Sequence, residues 1–201
     1  MTGRSLHKET KMQKYIDFDR TRSHNCLFNF VNGIRGCGKT YGKLKDDIDR
    51  YMKGKGRFIY LRRSEEELKT LTTQKSGRLF NHVQTEYEGH ALWCEANLLH
   101  IDKEVCGYAA ALSTARKLKS DALDYVTDII FDEYVIDDTT SQQRYLPDEV
   151  TAFFEFYETV ARPGSRDYDV TVWFLGNAIS SSNPYFDFLN LDLPYGSDII
   201  K

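Results

Sequence analysis

The octet Gly33-Ile34-Arg35-Gly36-Cys37-Gly38-Lys39-Thr40 has the spacing G-x-x-x-x-G-K-[ST]. Residue types in this order are suited to holding phosphate. Glycines let backbone N–H groups wrap an anion, and the N-terminus of a following helix adds its dipole. The lysine reaches the outer phosphates, and the threonine hydroxyl is a hard oxygen ligand for Mg2+. The candidate nucleotide-binding positions run from Gly33 through Ile34, Arg35, Gly36, Cys37, Gly38, Lys39 and Thr40 to Tyr41, with the Cys37 side chain expected to matter little. A second cluster, Asp132-Glu133, closes the run Val126-Thr-Asp-Ile-Ile-Phe131 and lies 93 residues beyond Lys39. Asp132 would hold the metal through water, and Glu133 would polarise an attacking water molecule. An acid in that second position suits hydrolysis and is undesirable in a nucleotide kinase. No Asn-Lys-x-Asp motif for reading guanine is present, so ATP is the expected nucleotide.

Other polar residues are weaker candidates. Asn177 follows the apolar run Val170-Thr-Val-Trp-Phe-Leu-Gly176 and could contact the γ-phosphate or the water. Arg162 and Arg166 flank Pro163-Gly164. In ring ATPases an arginine from a neighbouring subunit stabilises charge on the transferring phosphoryl group. Two basic clusters, Arg62-Arg63 and Arg116-Lys117-Lys119, could face DNA or another subunit, with a solvated surface as the plain alternative.

These groups need strands and helices to bring them together. Cys26 to Asn32 is apolar and β-prone and ends at glycine, as a buried strand does. Lys39 to Lys53 carries few breakers and is closed by Gly54 and Gly56, which predicts a helix. Arg57 to Leu61 is a second strand, and Ser64 followed by Glu65-Glu66-Glu67 marks a helix start. Ala91 to Cys94, Leu98 to Ile101 and Val105 to Ala111, separated by turn residues, predict an antiparallel hairpin or small meander. Val126 to Phe131 and Val170 to Leu175 are further strands, and Pro147 to Ala161 a helix. The expected class is α/β, with a central mainly parallel sheet, helices on both faces and a small antiparallel hairpin or meander. Ligands bind beyond the carboxyl ends of such strands, where the glycine loop, Asp132-Glu133 and Asn177 all fall.

Composition sets the outer bounds. Residues 1–22 read as a polar arm or short helix, and 23–201 as one domain carrying the site. With 41% hydrophobic and 28% charged residues the chain is ordinary for a globular protein. No apolar run reaches the length of a membrane span or resembles a signal peptide, so an intracellular protein without a membrane partner is expected. Cys26, Cys37, Cys94 and Cys106 form no CxxC pair, which argues against zinc or a disulfide framework and for mostly buried apolar roles. A net charge of −3 neither announces nor excludes a nucleic-acid partner.

The order of motifs resembles the DNA-packaging ATPases of phi29-like phages, in the additional-strand catalytic-glutamate branch of P-loop NTPases. The resemblance covers residues 20–190. It rests on Asn29-Phe-Val-x-Gly33-x-Arg-Gly-x-Gly-Lys39, Phe58-Ile-Tyr-x-Arg-Arg63, Ile130-Phe-Asp-Glu133, Thr159-Val-x-Arg162, and Asn177-Ala with Asn183-Pro-Tyr-Phe186. It implies a homo-oligomeric, pentameric ring in the host cytoplasm. Such a ring docks transiently at the portal vertex of an empty prohead with a packaging RNA, and pumps double-stranded DNA inward on ATP and Mg2+. Arg162 then corresponds to an arginine finger acting in trans, and Lys119 to a basic position linked to subunit communication or DNA contact. Arg62 and Arg63 are implied in similar interface roles. The family continues into a C-terminal nuclease-like domain, so the resemblance implies an isolated ATPase domain here. The competing expectations are another ring-shaped motor, such as a helicase or conjugative DNA pump, and a nucleotide-binding regulatory module without turnover.

Overall fold

The computed structural model describes residues 16–73, 78–117, 123–136, 144–162, 167–177 and 183–192. Seven strands form one sheet: β1 (Phe28–Gly33), β2 (Arg57–Arg62), β3 (Leu92–Glu95), β4 (Leu98–Ile101), β5 (Glu104–Ala111), β6 (Val126–Asp132) and β7 (Thr171–Asn177). Their order across the sheet is β1-β7-β6-β2-β5-β4-β3. The first five are parallel neighbours, while β4 runs antiparallel along β5 and β3 antiparallel along β4, forming a meander. The predicted meander is therefore an extension of the main sheet, joined to it through β5.

Strand alternation sorts the core onto two faces. On one face Phe58, Tyr60, Ile130, Trp173 and Leu175 pack with Leu44 and Ile48 of α2 (Lys39–Met52) and Leu68 of α3 (Glu65–Thr72). On the other, Ile59, Leu61, Ile129, Phe131, Val172 and Phe174 pack with Phe153, Phe156 and Val160 of α4 (Glu149–Ala161). Tyr185 and Phe186 of α5 (Pro184–Leu189) join that second face. Parallel strands are stable when both faces are covered, which accounts for their near-continuous apolar runs.

Local signals set the helix ends. The Ser64 side chain accepts from the Glu67 amide at the start of α3, and Asn183 accepts from the amides of Tyr185 and Phe186 at the start of α5. Within the segment expected to be a polar arm or short helix, the described residues form a short helix, α1 (Phe18–Arg22). It is docked rather than loose. The Phe18 ring meets Trp173 edge-on with centroids 5.4 Å apart.

Beneath α1 and α2 lies a buried charge cluster that sequence patterning did not indicate. Asp128 on β6 accepts from Arg22 Nη2 at 2.7 Å, Trp173 Nε1 at 2.8 Å and Lys43 Nζ at 3.4 Å. Lys43, fully buried, also donates to Asp46 at 2.8 Å and to Asp47. Burial alone would raise the Asp128 carboxyl, but Lys43, Arg22 and Arg50 outweigh it and hold the group well below the usual range. Asp47 behaves oppositely: burial dominates, with the Asp128 and Asp46 charges added, and pushes it up to about 8.

Candidate functional site

The parallel register delivers the polar groups to one edge of the sheet. Gly33 pairs with Asn177, and Asp132 lies beside Leu175, so the ends of β1, β7 and β6 are adjacent. Gly36 and Gly38 hold φ of +81° and +79° in the turn that follows β1. Only glycine takes that backbone freely, and the turn brings the chain round to start α2 at Lys39.

Lys39 Nζ donates to the carbonyls of Gly33 and Ile34, each at 3.0 Å, and to Asn177 Oδ1 at 3.3 Å. It also lies 3.6 Å from Cys37 Sγ. The cysteine expected to be incidental thus touches the central cation of the loop. Thr40 Oγ1 donates to Asp132 Oδ1 at 2.9 Å. Lys39, Thr40, Asp132, Glu133 and Asn177 therefore come together in one open cleft of about 650 Å³. Ile34, 76% exposed, stands at the loop without lining that cleft, whereas Arg35, Gly36, Gly38 and Tyr41 do line it.

Asp132 is buried, and both its oxygens are held. Oδ1 accepts from Thr40 and from the Glu133 amide at 3.1 Å; Oδ2 accepts from Tyr60 OH at 2.6 Å and Arg62 Nη1 at 3.4 Å. Burial raises the carboxyl, opposed by the Arg62 charge and the Tyr60 and Thr40 hydrogen bonds. The next residue, Glu133, has φ +55° and a half-exposed side chain whose Oε2 lies 2.5 Å from Arg62 Nη2.

The double arginine differs from its sequence reading. Arg62 and Arg63 are neither solvated nor available as surface contacts for DNA; they are 7% and 2% exposed. Arg62 spans Glu67, Asp132 and Glu133. Arg63 forks onto Glu149 at 2.8 and 3.2 Å and donates to the carbonyls of Glu133 and Tyr134 at 3.1 and 2.6 Å. Tyr185 OH adds a further bond to Glu149 at 3.1 Å. Arg63→Lys keeps the charge but cannot reproduce the fork, and should cost about 2 kcal/mol in urea unfolding. An unchanged midpoint would show that this buried knot contributes little.

Arg162 stands away from the cleft lining, exposed, in a left-handed conformation at the C-terminal cap of α4. Lys119 and Arg166 lie outside the described residues. Of the cysteines, Cys94 and Cys106 are buried, Cys37 is intermediate and Cys26 is exposed. Sequence reasoning missed Tyr60, and also His82, Thr85 and Glu86, which form an outer wall of the cleft. The wall is fastened to α2 by Tyr41 OH to Glu86 at 2.7 Å and Tyr87 OH to Asp49 at 2.7 Å.

A family model described as the podovirus DNA encapsidation protein (Gp16) matches residues 11–197. The chain belongs to that family. The DNA packaging protein of Bacillus phage phi29 is 37% identical over 179 residues, covering 89% of this chain and 49% of the phage protein. That of Bacillus phage B103 is 37% identical over 169 residues, covering 84% and 50%. The chain thus spans about half the length of the curated relatives it matches. In structure it is similar to the N-terminal domain of the phi29 DNA packaging ATPase, with TM-score 0.80, 32% identity, and 93% and 92% of the two chains covered. It is also similar to a chain of the phi29 genome packaging motor assembly, with TM-score 0.74, 33% identity, and 90% and 52% covered. Gp16-family membership rests on nearly the whole of this chain, with the glycine loop, Asp132-Glu133 and Asn177 all inside the matched span.

Proposed function

We propose that this chain is the ATP-hydrolysing part of a ring motor that moves double-stranded viral DNA into an empty prohead. The observation that carries the hydrolytic reading is the meeting, at 2.9 Å and beside Lys39, of Thr40 in the first turn of α2 with Asp132 at the end of β6. We read Gly33 to Thr40 as a P-loop and Asp132-Glu133 as its Walker B partner, in a P-loop NTPase of the additional-strand catalytic-glutamate type.

The residues present fit Mg2+ with a nucleotide. Among the described residues no group of three or more His, Cys, Asp or Glu could hold a metal ion alone. Mg2+ typically takes one or two protein oxygens, with waters and phosphate oxygens completing its shell. A hydroxyl and a carboxylate already in contact supply that pair. When bound, the metal would supply Lewis-acid stabilisation of phosphate charge.

Lys39 would exchange its loop carbonyls for phosphate oxygens, and Asn177, already bonded to Lys39, would sit at the outer phosphate or the attacking water. Glu133 would orient that water and take its proton. To do so it must leave Arg62 or share its carboxylate with it. Arg162, exposed and not among the residues that line its own cleft, suits a finger reaching a neighbouring subunit. A pentameric ring, docking at the portal with a packaging RNA in the host cytoplasm, follows from the family resemblance.

The test is ATP turnover by the protein assembled on proheads with DNA. Lys39→Ala should lose nucleotide binding. Arg162→Ala should bind ATP normally yet lose turnover, and should poison mixed rings in proportion to its share. Tight ATP binding with no phosphate release by the wild type would replace this reading with a regulatory module. Duplex unwinding without prohead association would replace it with a helicase.

A further inference from the structure

We infer that Tyr60 is a positioning residue that fixes which oxygen the Asp132 carboxylate turns toward Thr40, and so sets the preference of the site for Mg2+ over Ca2+. The inference rests on the reading of Thr40 and Asp132 as the metal-side pair.

The geometry is directional. Asp132 has two oxygens with different neighbours: Oδ1 faces Thr40 and the Glu133 amide, and Oδ2 faces Tyr60 and Arg62. The contact from Tyr60 OH, at 2.6 Å, is the shortest of the four, and the Arg62 contact on the same oxygen, at 3.4 Å, is the longest. A short O–H···O⁻ bond is strong and directional, whereas the long guanidinium contact constrains little. Arg62 is moreover shared with Glu67 and Glu133, while Tyr60 is fully buried in the sheet and its ring cannot swing away. Tyr60 and Arg62 are two apart on β2, so both extend from the same face toward Asp132 on the paired strand β6.

The consequence for metal choice follows from ligand rigidity. Mg2+ demands near-ideal octahedral geometry, while Ca2+ accepts more ligands, bidentate carboxylates and looser angles. A carboxylate held at Oδ2 by Tyr60 keeps Oδ1 alone on the Thr40 side, whether it would meet the ion directly or through the water expected for Asp132. Freed of that bond, it would be able to turn both oxygens to that side, an arrangement Ca2+ accepts and the smaller ion does not. Groups that orient a metal ligand typically govern affinity by about tenfold or more when removed.

Tyr60→Phe removes only the hydroxyl and keeps the ring in place. Tyr185→Phe is the control, because it also removes a buried tyrosine hydroxyl, bonded to Glu149 rather than Asp132. The measurement is equilibrium binding of a fluorescent, non-hydrolysable ATP analogue to the whole chain, titrated with Mg2+ or Ca2+, with thermal melts of each variant alongside. In Tyr60→Phe the Mg2+ concentration for half-maximal binding should rise about tenfold, and the Mg2+/Ca2+ preference should fall by a similar factor. Tyr185→Phe should alter only the melt. Unchanged Mg2+ and Ca2+ midpoints in Tyr60→Phe would overturn the role of Tyr60, as would the same shifts in both variants. If wild-type binding ignores Mg2+, or if Asp132→Asn leaves its Mg2+ dependence intact, the metal-side reading itself fails.

Discussion

Replacing Glu133 by glutamine should lower the rate of ATP hydrolysis about 10²- to 10⁴-fold, the range expected when a positioned general base is removed, while nucleotide affinity changes little. Glutamine keeps the shape of the side chain and can still accept from Arg62, but it cannot take a proton from water. Lys39, Thr40 and Asp132 are untouched by the change, so the groups proposed to hold phosphates and metal remain. Single-turnover hydrolysis measured beside nucleotide affinity separates the two quantities. Wild-type turnover in Glu133→Gln would remove Glu133 from the chemistry and send the search for a base elsewhere in the cleft. Equal losses of binding and turnover would assign Glu133 to ground-state binding instead.

The largest effect on stability is expected at Asp128, far from any proposed chemistry. Asp128→Asn leaves Arg22 and Lys43 facing a neutral amide, with Lys43 fully buried. Breaking a buried ion pair in this way costs about 3–5 kcal/mol, measurable by urea unfolding at neutral pH. The direction with pH is fixed by linkage. The folded-state carboxyl of Asp128 is held below its unfolded value, so its contribution is present above about pH 4 and is lost as pH falls through the folded value. Asp47 has the opposite sign. Its folded value is raised to about 8, so the folded state keeps a proton that the unfolded state has released. Stability therefore declines from about pH 4 to about pH 8 on account of Asp47. Asp47→Asn resembles the protonated acid and should flatten that decline at a cost of about 1 kcal/mol or less. A larger loss in Asp47→Asn than in Asp128→Asn would invert this assignment of charges.

What the sequence disclosed follows the range of the interactions involved. The helix expected over Lys39 to Lys53 is observed as Lys39–Met52, and the strand Leu98 to Ile101 is found with the same bounds. Periodicity, capping residues and glycine stops are local, so they can be read along the chain. Asn183 with Pro184 behind it is an equally local helix start, and α5 begins there. The candidate site was legible as far as each group ends a strand. Its inner face was not. Tyr60 meets Asp132 across 72 positions, and Arg63 meets Glu149 across 86. An arginine pair in isolation looks like surface because burial of such a charge depends on a carboxylate that nothing nearby in the chain announces. The wall carrying His82, Thr85 and Glu86 was invisible for a related reason. It consists of short 3₁₀ turns at Arg78–Phe80 and Gln84–Glu86, which leave no repeating pattern.

The turn at Glu133 bears on how freely this site can change. Its main chain is gripped by Arg63 through the carbonyls of Glu133 and Tyr134, whatever side chain position 133 carries. With φ at +55°, that position would be more comfortable as glycine, by about 1 kcal/mol or somewhat more. A glutamate there is a stability concession made where the proposed reaction needs a carboxylate, the familiar conflict between robustness and activity. Drift toward glycine would leave a sturdier protein with the same fold and without the proposed base, so selection for sturdiness alone would work against the proposed hydrolysis.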